Sequence, residues 1–558
     1  MKPGKFAFLS SIAGSVVLLA LHKPSEVDGV LPFVLQFAKY FILLYISIRI
    51  LRKLRLTFEN FLLSRERKSA RAAAGPSNYV PYTAETVAAE TARLRASFES
   101  GITRDLHWRR QQLLSLLDLI NENETEICDA VFSDMHKNPS ELKICELYAL
   151  KRTIQHYADN IYEMAKPHMV PPTLDTCMCR GYVVPDPLGV VTVIGVWNYP
   201  VSLSLTPLAG AIAGGNCTLL KLPNSSPRYS ALITSLIPKY LDMRCIAVEW
   251  AEGTRTIQAL KDQDVDLIFF TGSPNVGKIL YEAASKKMIP VLLELGGKNP
   301  CIVDSTVADS TLERLAWSKF MNAGQTCIAP DYVLCVNEGC KDGASTSERI
   351  VRVVSKALEA QYGKTAEEQM ASEDFGHLAS ERAFNNVHKL LVSVKDYVRY
   401  GGECDKRRCV ISPTIVVDPP KDSDIANQEI FGPILPILNF DTYEDAIKFA
   451  NSHGTPLACY VLSEKKEVQK MVLERVRSGG AGINDCVMHF ANHDLPFGGC
   501  GTSGVGKYHG GEKTFEVFTN QRSLIVANPV IDTIFNYVKR PPYTWVHKYL
   551  LPFIIEHS

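Results

Sequence analysis

Four short stretches carry side chains able to act on an electrophilic carbon. "MNAGQTCIAP" (Met321 to Pro330) holds Cys327 behind Gly324, a residue that permits a tight backbone. A thiolate there is a nucleophile if its pKa is lowered and it is accessible. "VLLELGGKNP" places Glu294 in an otherwise apolar strand end, where burial raises a carboxyl toward general-base range. "VIGVWNYPVSLS" sets Asn198 at a strand end between Trp197 and Tyr199-Pro200, where a fixed amide can donate to an oxyanion. "FFTGSPNVGKIL" runs from a strand through Gly272 and Ser273 into a helix near Gly277. Amides at such a helix start favour an anion, which suits a dinucleotide. Each stretch alone has a plain alternative. The cysteine can be a small buried residue and the glutamate can be satisfied by the glycine amides. The asparagine can be a turn residue. The GxxxxG spacing is neither GxGxxG nor a Gly-Lys-Ser phosphate loop.

The bulk of the chain narrows the setting. It has 558 residues, 46% of them apolar, and no net formal charge. At roughly 150 residues per domain, that length predicts two to four domains. The apolar fraction excludes wholesale disorder. Balanced charge offers no basic face for nucleic acid. The 15 cysteines are an odd, irregularly spaced set whose closest pair is Cys177-Met-Cys179. No Cys/His cluster has zinc spacing, so no metal is expected. Reduced, mostly buried thiols in a cytosol-facing protein are expected instead.

The elements that must position these residues begin after the first fifty positions. "FAFLSSIAGSVVLLAL" (Phe6 to Leu21) and "VLPFVLQFAKYFILLYISI" (Val30 to Ile48) are apolar and flanked by basic residues. A spanning helix needs about 20 apolar residues. A cleaved signal peptide, a single anchor and a helical hairpin compete, as does a buried helix pair. The hairpin puts both basic flanks on the cytosolic side and is the expectation. "SRERKSARAAAGPSN" (Ser64 to Asn78) reads as a linker. From about Tyr82 helix periods dominate. From Gly181 short β-branched runs alternate with helices, which predicts an α/β fold with mainly parallel sheets.

Taken together, the motifs closely resemble those of the aldehyde dehydrogenase superfamily. "WNYP", "FTGS", "LELGGK" and "GQTCIAP" occur in that family's order. "NQEIFGPILPI" (Asn427 to Ile437) and "LPFGGCGTSGVGKYHG" (Leu495 to Gly510) follow. They span about Tyr82 to Asn520, nearly the whole body. The Ile-Ala-Pro-Asp-Tyr after the cysteine and the late Tyr-His-Gly look most like the class 3, fatty-aldehyde branch.

The resemblance implies two Rossmann-like parallel-sheet α/β domains flanking a cleft, plus a small oligomerisation hairpin. The expected layout is an anchor over 1–57, a linker over 58–80 and a dinucleotide-binding domain over 81–293, with the hairpin at 169–189. A catalytic domain over 294–490 and a C-terminal segment over 491–558 complete it. The implied roles are Cys327 as nucleophile, Asn198 with the Cys327 N–H as oxyanion donors, and Glu294 as the base that activates water. Gly272, Ser273 and Gly277 match the pyrophosphate turn, and Lys221 the ribose lysine. Trp197, Leu295, Gly296, Glu429 and Phe431 match cofactor-side positions. The family commonly reads Lys-Pro-Ser-Glu where this chain has Lys221-Leu-Pro-Asn224. Asn224 removes a charge that would repel a 2′-phosphate, so NAD is the expected cofactor with NADP tolerated.

An anchored enzyme suits a lipophilic substrate, since each buried methylene is worth about 0.8 kcal/mol. The expectation is oxidation of medium- and long-chain aldehydes to acids by a homodimer. Its catalytic body should face the cytosol, on the endoplasmic reticulum before mitochondrial outer membrane, peroxisome or lipid droplet. An apocarotenal, isoprenoid or aromatic aldehyde is the alternative substrate. A catalytically silent scaffold is the non-enzyme alternative, and intact Cys327, Glu294 and Asn198 argue against it.

Overall fold

The structure, a computed structural model, describes residues 47, 50–51, 84–173, 179–250, 264–338, 346–492, 494–509, 511–527, 541–550, 552 and 556. The expected anchor and linker thus lie outside the described residues, apart from three helical positions: Ser47, Ile50 and Leu51. Among the described residues no helix is long and apolar enough to cross a membrane. The chain divides into Met1–Ala73 and Ala74–Ser558, and everything below belongs to the second unit.

That unit opens with helices Ala84–Glu99, Leu106–Glu122, Glu124–Met135 and Tyr148–Met164. Leu113, Leu116 and Ile120 recur at helical spacing and are fully buried. Asp105 caps that helix by accepting from the His107 N–H at 2.9 Å.

Strands follow in three groups. β1 (His168–Val170) and β2 (Cys179–Pro187) pair antiparallel, and 174–178 between them lie outside the described residues. Next come β3 (Val190–Ile194), β4 (Cys217–Lys221), β5 (Ile246–Glu249), β6 (Leu267–Thr271) and β7 (Val291–Glu294). The third group is β8 (Pro300–Asp304), β9 (Tyr332–Val336), β10 (Val398–Tyr400), the two-stranded β11 (Cys404–Asp405) and β12 (Val410–Ile411), β13 (Thr414–Val417), β14 (Ile434–Phe440), β15 (Ala458–Leu462) and β16 (Gly480–Ile483). β17 (Gly504–Val505) and β18 (Thr519–Ala527) complete the strands among the described residues.

The first large sheet has the order β17-β7-β6-β3-β4-β5, parallel except for β17. The second has the order β10-β13-β14-β9-β8-β15-β16, parallel except for β10. "VVTVI", "CTLLK" and "LIFFT" are buried at every position, as strands covered on both faces must be. The chain winds from β3 outward to β5, then returns through β6 to β7 on the other side. The crevice at the carboxyl ends of β3 and β6 is therefore a topological switch point, where such sheets bind ligands.

Late chain segments return to early ones. β17 adds to β7 with Gly504 opposite Glu294. β18 pairs with all of β2, from Thr519 opposite Pro187 to Ala527 opposite Cys179. This outlying sheet leaves Met169, Val170, Leu524, Ile525 and Val526 exposed.

Candidate active site

Cys327 sits in a loop held on all sides. A short 3-10 turn, Met321–Gly324, precedes it, with Asn322 and Ala323 both at φ 52°. Left-handed backbone at non-glycine residues is costly and persists where the surroundings enforce it. They do so here. The Asn322 side chain donates to the carbonyls of Asn198 (2.9 Å) and Gln325 (3.1 Å). Gln325 donates to the His377 carbonyl (2.9 Å) and accepts from the Ala379 N–H (3.0 Å). Beyond the cysteine, Asn299 donates to the carbonyls of Cys327 (2.7 Å) and Ala329 (3.0 Å), and the Tyr460 hydroxyl donates to that of Ile328 (2.6 Å).

Asn198 meets this loop from the end of β3. Its Nδ2 donates to the Gln325 carbonyl at 2.9 Å. The neighbouring Tyr199 hydroxyl lies 2.7 Å from Thr326 Oγ1. Asn198 is almost wholly buried, and its second Nδ2 hydrogen is left for another acceptor.

Glu294 ends β7 with both carboxyl oxygens buried and unpaired among the described residues. Burial drives its pKa well above the usual carboxyl range, and Lys507 opposes this only in part. Cys327 differs from the expectation of a lowered pKa. Burial, then the charges of Glu294 and Glu429, push the thiol up to about 12. The N–H groups of Cys327 and Ile328 pull the other way, so backbone donors already point at the sulphur.

The switch-point crevice supplies a dinucleotide site. Ser273 precedes the helix Pro274–Ser285, with Pro274 in its first turn. Gly277 lets that helix approach β7, since a Cβ there would lie 2.6 Å from Leu295 Cδ2. A Cβ on Gly296 would lie 2.2 Å from Glu429 Oε2, so a larger residue there would displace the Glu429 carboxyl. Glu429 Oε1 accepts from the Gly297 N–H at 3.1 Å. Burial and then Asp331 push the Glu429 carboxyl up to about 8. Trp197 and Phe431 meet edge to face, ring centroids 5.6 Å apart. Thr271 Oγ1, buried in the same wall, has no partner among the described residues. Lys221 ends β4, where burial lowers its pKa to about 8. An unsatisfied hydroxyl, aromatic walls and a helix start fit an NAD-type cofactor.

Two cavities meet at the sulphur. One, of about 180 Å³, is lined by Trp197, Asn198, Gly272, Ser273, Glu294, Leu295, Gly296, Cys327, Glu429 and Phe431. The structure thus gathers these predicted residues, whereas Lys221, Asn224 and Gly277 lie outside the lining, Asn224 in an exposed turn. The second cavity, of about 410 Å³, is apolar, with Ile144, Tyr148, Trp317, Met321, Met488 and Phe490 among its walls. Arg152 is the one charged side chain in its lining among the described residues. Leu203, Cys327 and Phe497 face both cavities. A larger polar cavity, of about 800 Å³, meets the apolar one at Arg152 and Ala491 and does not reach Cys327.

Sequence reasoning missed several residues that shape this site: Lys137, Glu146, Asn299, Gln325, Phe497 and Tyr508. Asn299, Gln325, Phe497 and Tyr508 lie inside quoted motifs, so their position was a usable signal. Lys137 lies in the short connection before the helix Pro139–Leu142 and Glu146 in the turn after it, and both read as surface.

The comparisons agree with the geometry. The profile of the aldehyde dehydrogenase family matches residues 78–524. Rat aldehyde dehydrogenase family 3 member B1 is 38% identical over 453 residues, covering 81% of this chain and 94% of the relative. Mouse aldehyde dehydrogenase family 3 member A2 is 39% identical, covering 81% and 90%. The dog "aldehyde dehydrogenase, dimeric NADP-preferring" is 40% identical, covering 78% and 93%. The substrate-bound Staphylococcus aureus AldH structure superposes with a TM-score of 0.79 at 34% identity, covering 84% of this chain and 99% of that one. The chain belongs to the aldehyde dehydrogenase family, in its class 3 branch, and is by that membership an NAD(P)-dependent oxidoreductase.

Proposed function

We propose that this chain oxidises medium- and long-chain aliphatic aldehydes to carboxylic acids at a membrane surface, with NAD preferred and NADP tolerated. The observation that carries the substrate class is the apolar 410 Å³ cavity that ends on Cys327. An alkyl chain gains about 0.8 kcal/mol per methylene by leaving water for such walls. The kinship with the dog NADP-preferring dimer supports NADP tolerance and a homodimer, with the apolar residues exposed on the β1-β2-β18 sheet as its contact.

Cys327, once deprotonated, attacks the aldehyde carbon, and the carbonyl π electrons move onto oxygen. The Asn198 amide and the Cys327 N–H hold that oxyanion, an interaction made only as charge develops. The bound dinucleotide supplies the hydride acceptor, placed by Glu429, Phe431 and Trp197. Loss of hydride leaves a thioester on Cys327. Glu294 then takes a proton from water, whose oxygen attacks the acyl carbon and expels the thiolate. Its raised pKa suits it to hold that proton. The apolar N-terminal segments anchor the protein with its body in the cytosol, on the endoplasmic reticulum.

The test compares hexadecanal with a short aldehyde, using NAD and NADP, on membrane-bound full-length protein and on protein lacking residues 1–57. A higher kcat/KM for the long chain is expected, with the preference reduced after deletion. Equal kcat/KM for both aldehydes would reject the substrate assignment.

A further inference from the structure

Beneath the Asn198 turn lies an ion pair that none of these steps uses. Lys137 and Glu146 have no exposed side-chain surface, and Nζ lies 3.0 Å from Oε1. Glu146 belongs to a π-turn, Lys143–Leu147, inserted between the helices Pro139–Leu142 and Tyr148–Met164. Such insertions re-aim side chains and are frequent at functional sites.

The pair grips one short stretch of backbone. The ammonium group has three hydrogens to place. Lys137 Nζ donates to Glu146 and to the Asn198 carbonyl at 2.9 Å, and lies 3.9 Å from the Tyr199 ring centroid. Glu146 Oε2 accepts from the N–H groups of Val201 (2.9 Å) and Ser202 (3.0 Å), which open the helix Ser202–Gly214. Positions 198, 199, 201 and 202 are thus all held by two side chains.

Filling a core is a poor reason for such a pair. Apolar residues of similar volume often stabilise as well or better. What apolar residues cannot do is bond to backbone on both sides of this turn. We infer that Lys137 and Glu146 are positioning residues, which fix the direction in which the Asn198 amide meets the oxyanion. This rests on the reading of Asn198 as an oxyanion donor.

The test uses full-length enzyme and the burst of NADH that reports acylation. Lys137→Met and Glu146→Gln should each slow the burst by about tenfold to a hundredfold, as small misplacements do. Aldehyde KM and NAD binding should hold. Asn198→Ala should slow it too, and adding Lys137→Met to Asn198→Ala should cost little more. Lys137→Met with Glu146→Leu removes both buried charges together. That protein should keep its thermal midpoint and still acylate slowly, which separates positioning from mere stability. A normal burst in Lys137→Met, a normal burst in the doubly apolar protein, or losses that multiply with Asn198→Ala would overturn the inference. A normal burst in Asn198→Ala would instead overturn the oxyanion reading itself.

Discussion

The side-chain amide of Asn198 and the backbone carbonyl of Gln325 are joined by a 2.9 Å hydrogen bond across 127 positions of sequence. The turn after β3 and the cysteine loop are therefore one piece, although they leave different sheets. Asn198→Ala should lower kcat by about 100- to 1,000-fold, the usual cost of an oxyanion donor. Aldehyde KM and NAD binding should change little. Steady-state kinetics with an NAD titration checks this, and an unchanged kcat would leave the backbone N–H as sole donor.

Cys327→Ala should reduce aldehyde oxidation by at least about 1,000-fold while dinucleotide binding persists. Fluorescence titration with NADH reads the second half. Residual activity near wild type would move the nucleophile to another thiol, and Cys145 in the same cavity would be next to examine.

The thiol pKa is raised by burial first and then, where the carboxyl is ionised at alkaline pH, by the Glu294 charge. Removing that charge lowers the thiol pKa and raises the thiolate fraction at a given pH. Glu294→Gln should therefore speed iodoacetamide labelling of Cys327 at alkaline pH, while steady-state acid formation falls. Slower labelling would show that Glu294 takes the proton from the thiol.

Glu429 predicts a pH dependence of stability. Its folded pKa is raised to about 8, chiefly by burial. The folded state thus favours the neutral carboxyl, and its contribution is complete in acid. It is lost as pH rises from the ordinary carboxyl range through about 8. Glu429→Gln should flatten the thermal midpoint over that window in cofactor-free enzyme, as scanning calorimetry across a pH series would show. An unchanged slope would place the carboxyl in a more solvated setting.

Asn224 lies exposed just beyond the Lys221 end of β4. Asn224→Glu adds a charge that repels a 2′-phosphate. It should raise KM for NADP by about tenfold with little effect on NAD. An equal KM for NADP in both proteins would put the 2′ position elsewhere.

Much of this architecture is legible in the residues themselves. β3, β4 and β6 are short, mainly apolar runs bounded by turns, the pattern of parallel strands covered on both faces. Cys327, Glu294 and Asn198 stand in distinctive local settings, so their meeting follows once the motifs are taken together. The Lys137–Glu146 pair was not legible. A lysine and a glutamate beside a short helix look solvated, and their burial depends on partners about sixty positions away. A π-turn also breaks the period from which helix faces are read. The return of β17 to β7 and of β18 to β2 is long-range pairing, which no local pattern encodes. The high thiol pKa arises from burial first and then from two carboxyls, and the fold alone creates both conditions.

Leu203, Cys327 and Phe497 form a party wall between two chambers, and Glu294 opens onto one of them alone. Traffic at the acyl-sulphur bond is thereby sorted by side. On the proposed alkyl substrates, a long tail would cork its own entrance, and hydrolytic water would arrive from the chamber that Glu294 serves. A short tail would leave that entrance ajar to other nucleophiles. Chain length would then bear on more than binding: it would sort which nucleophile finishes the reaction.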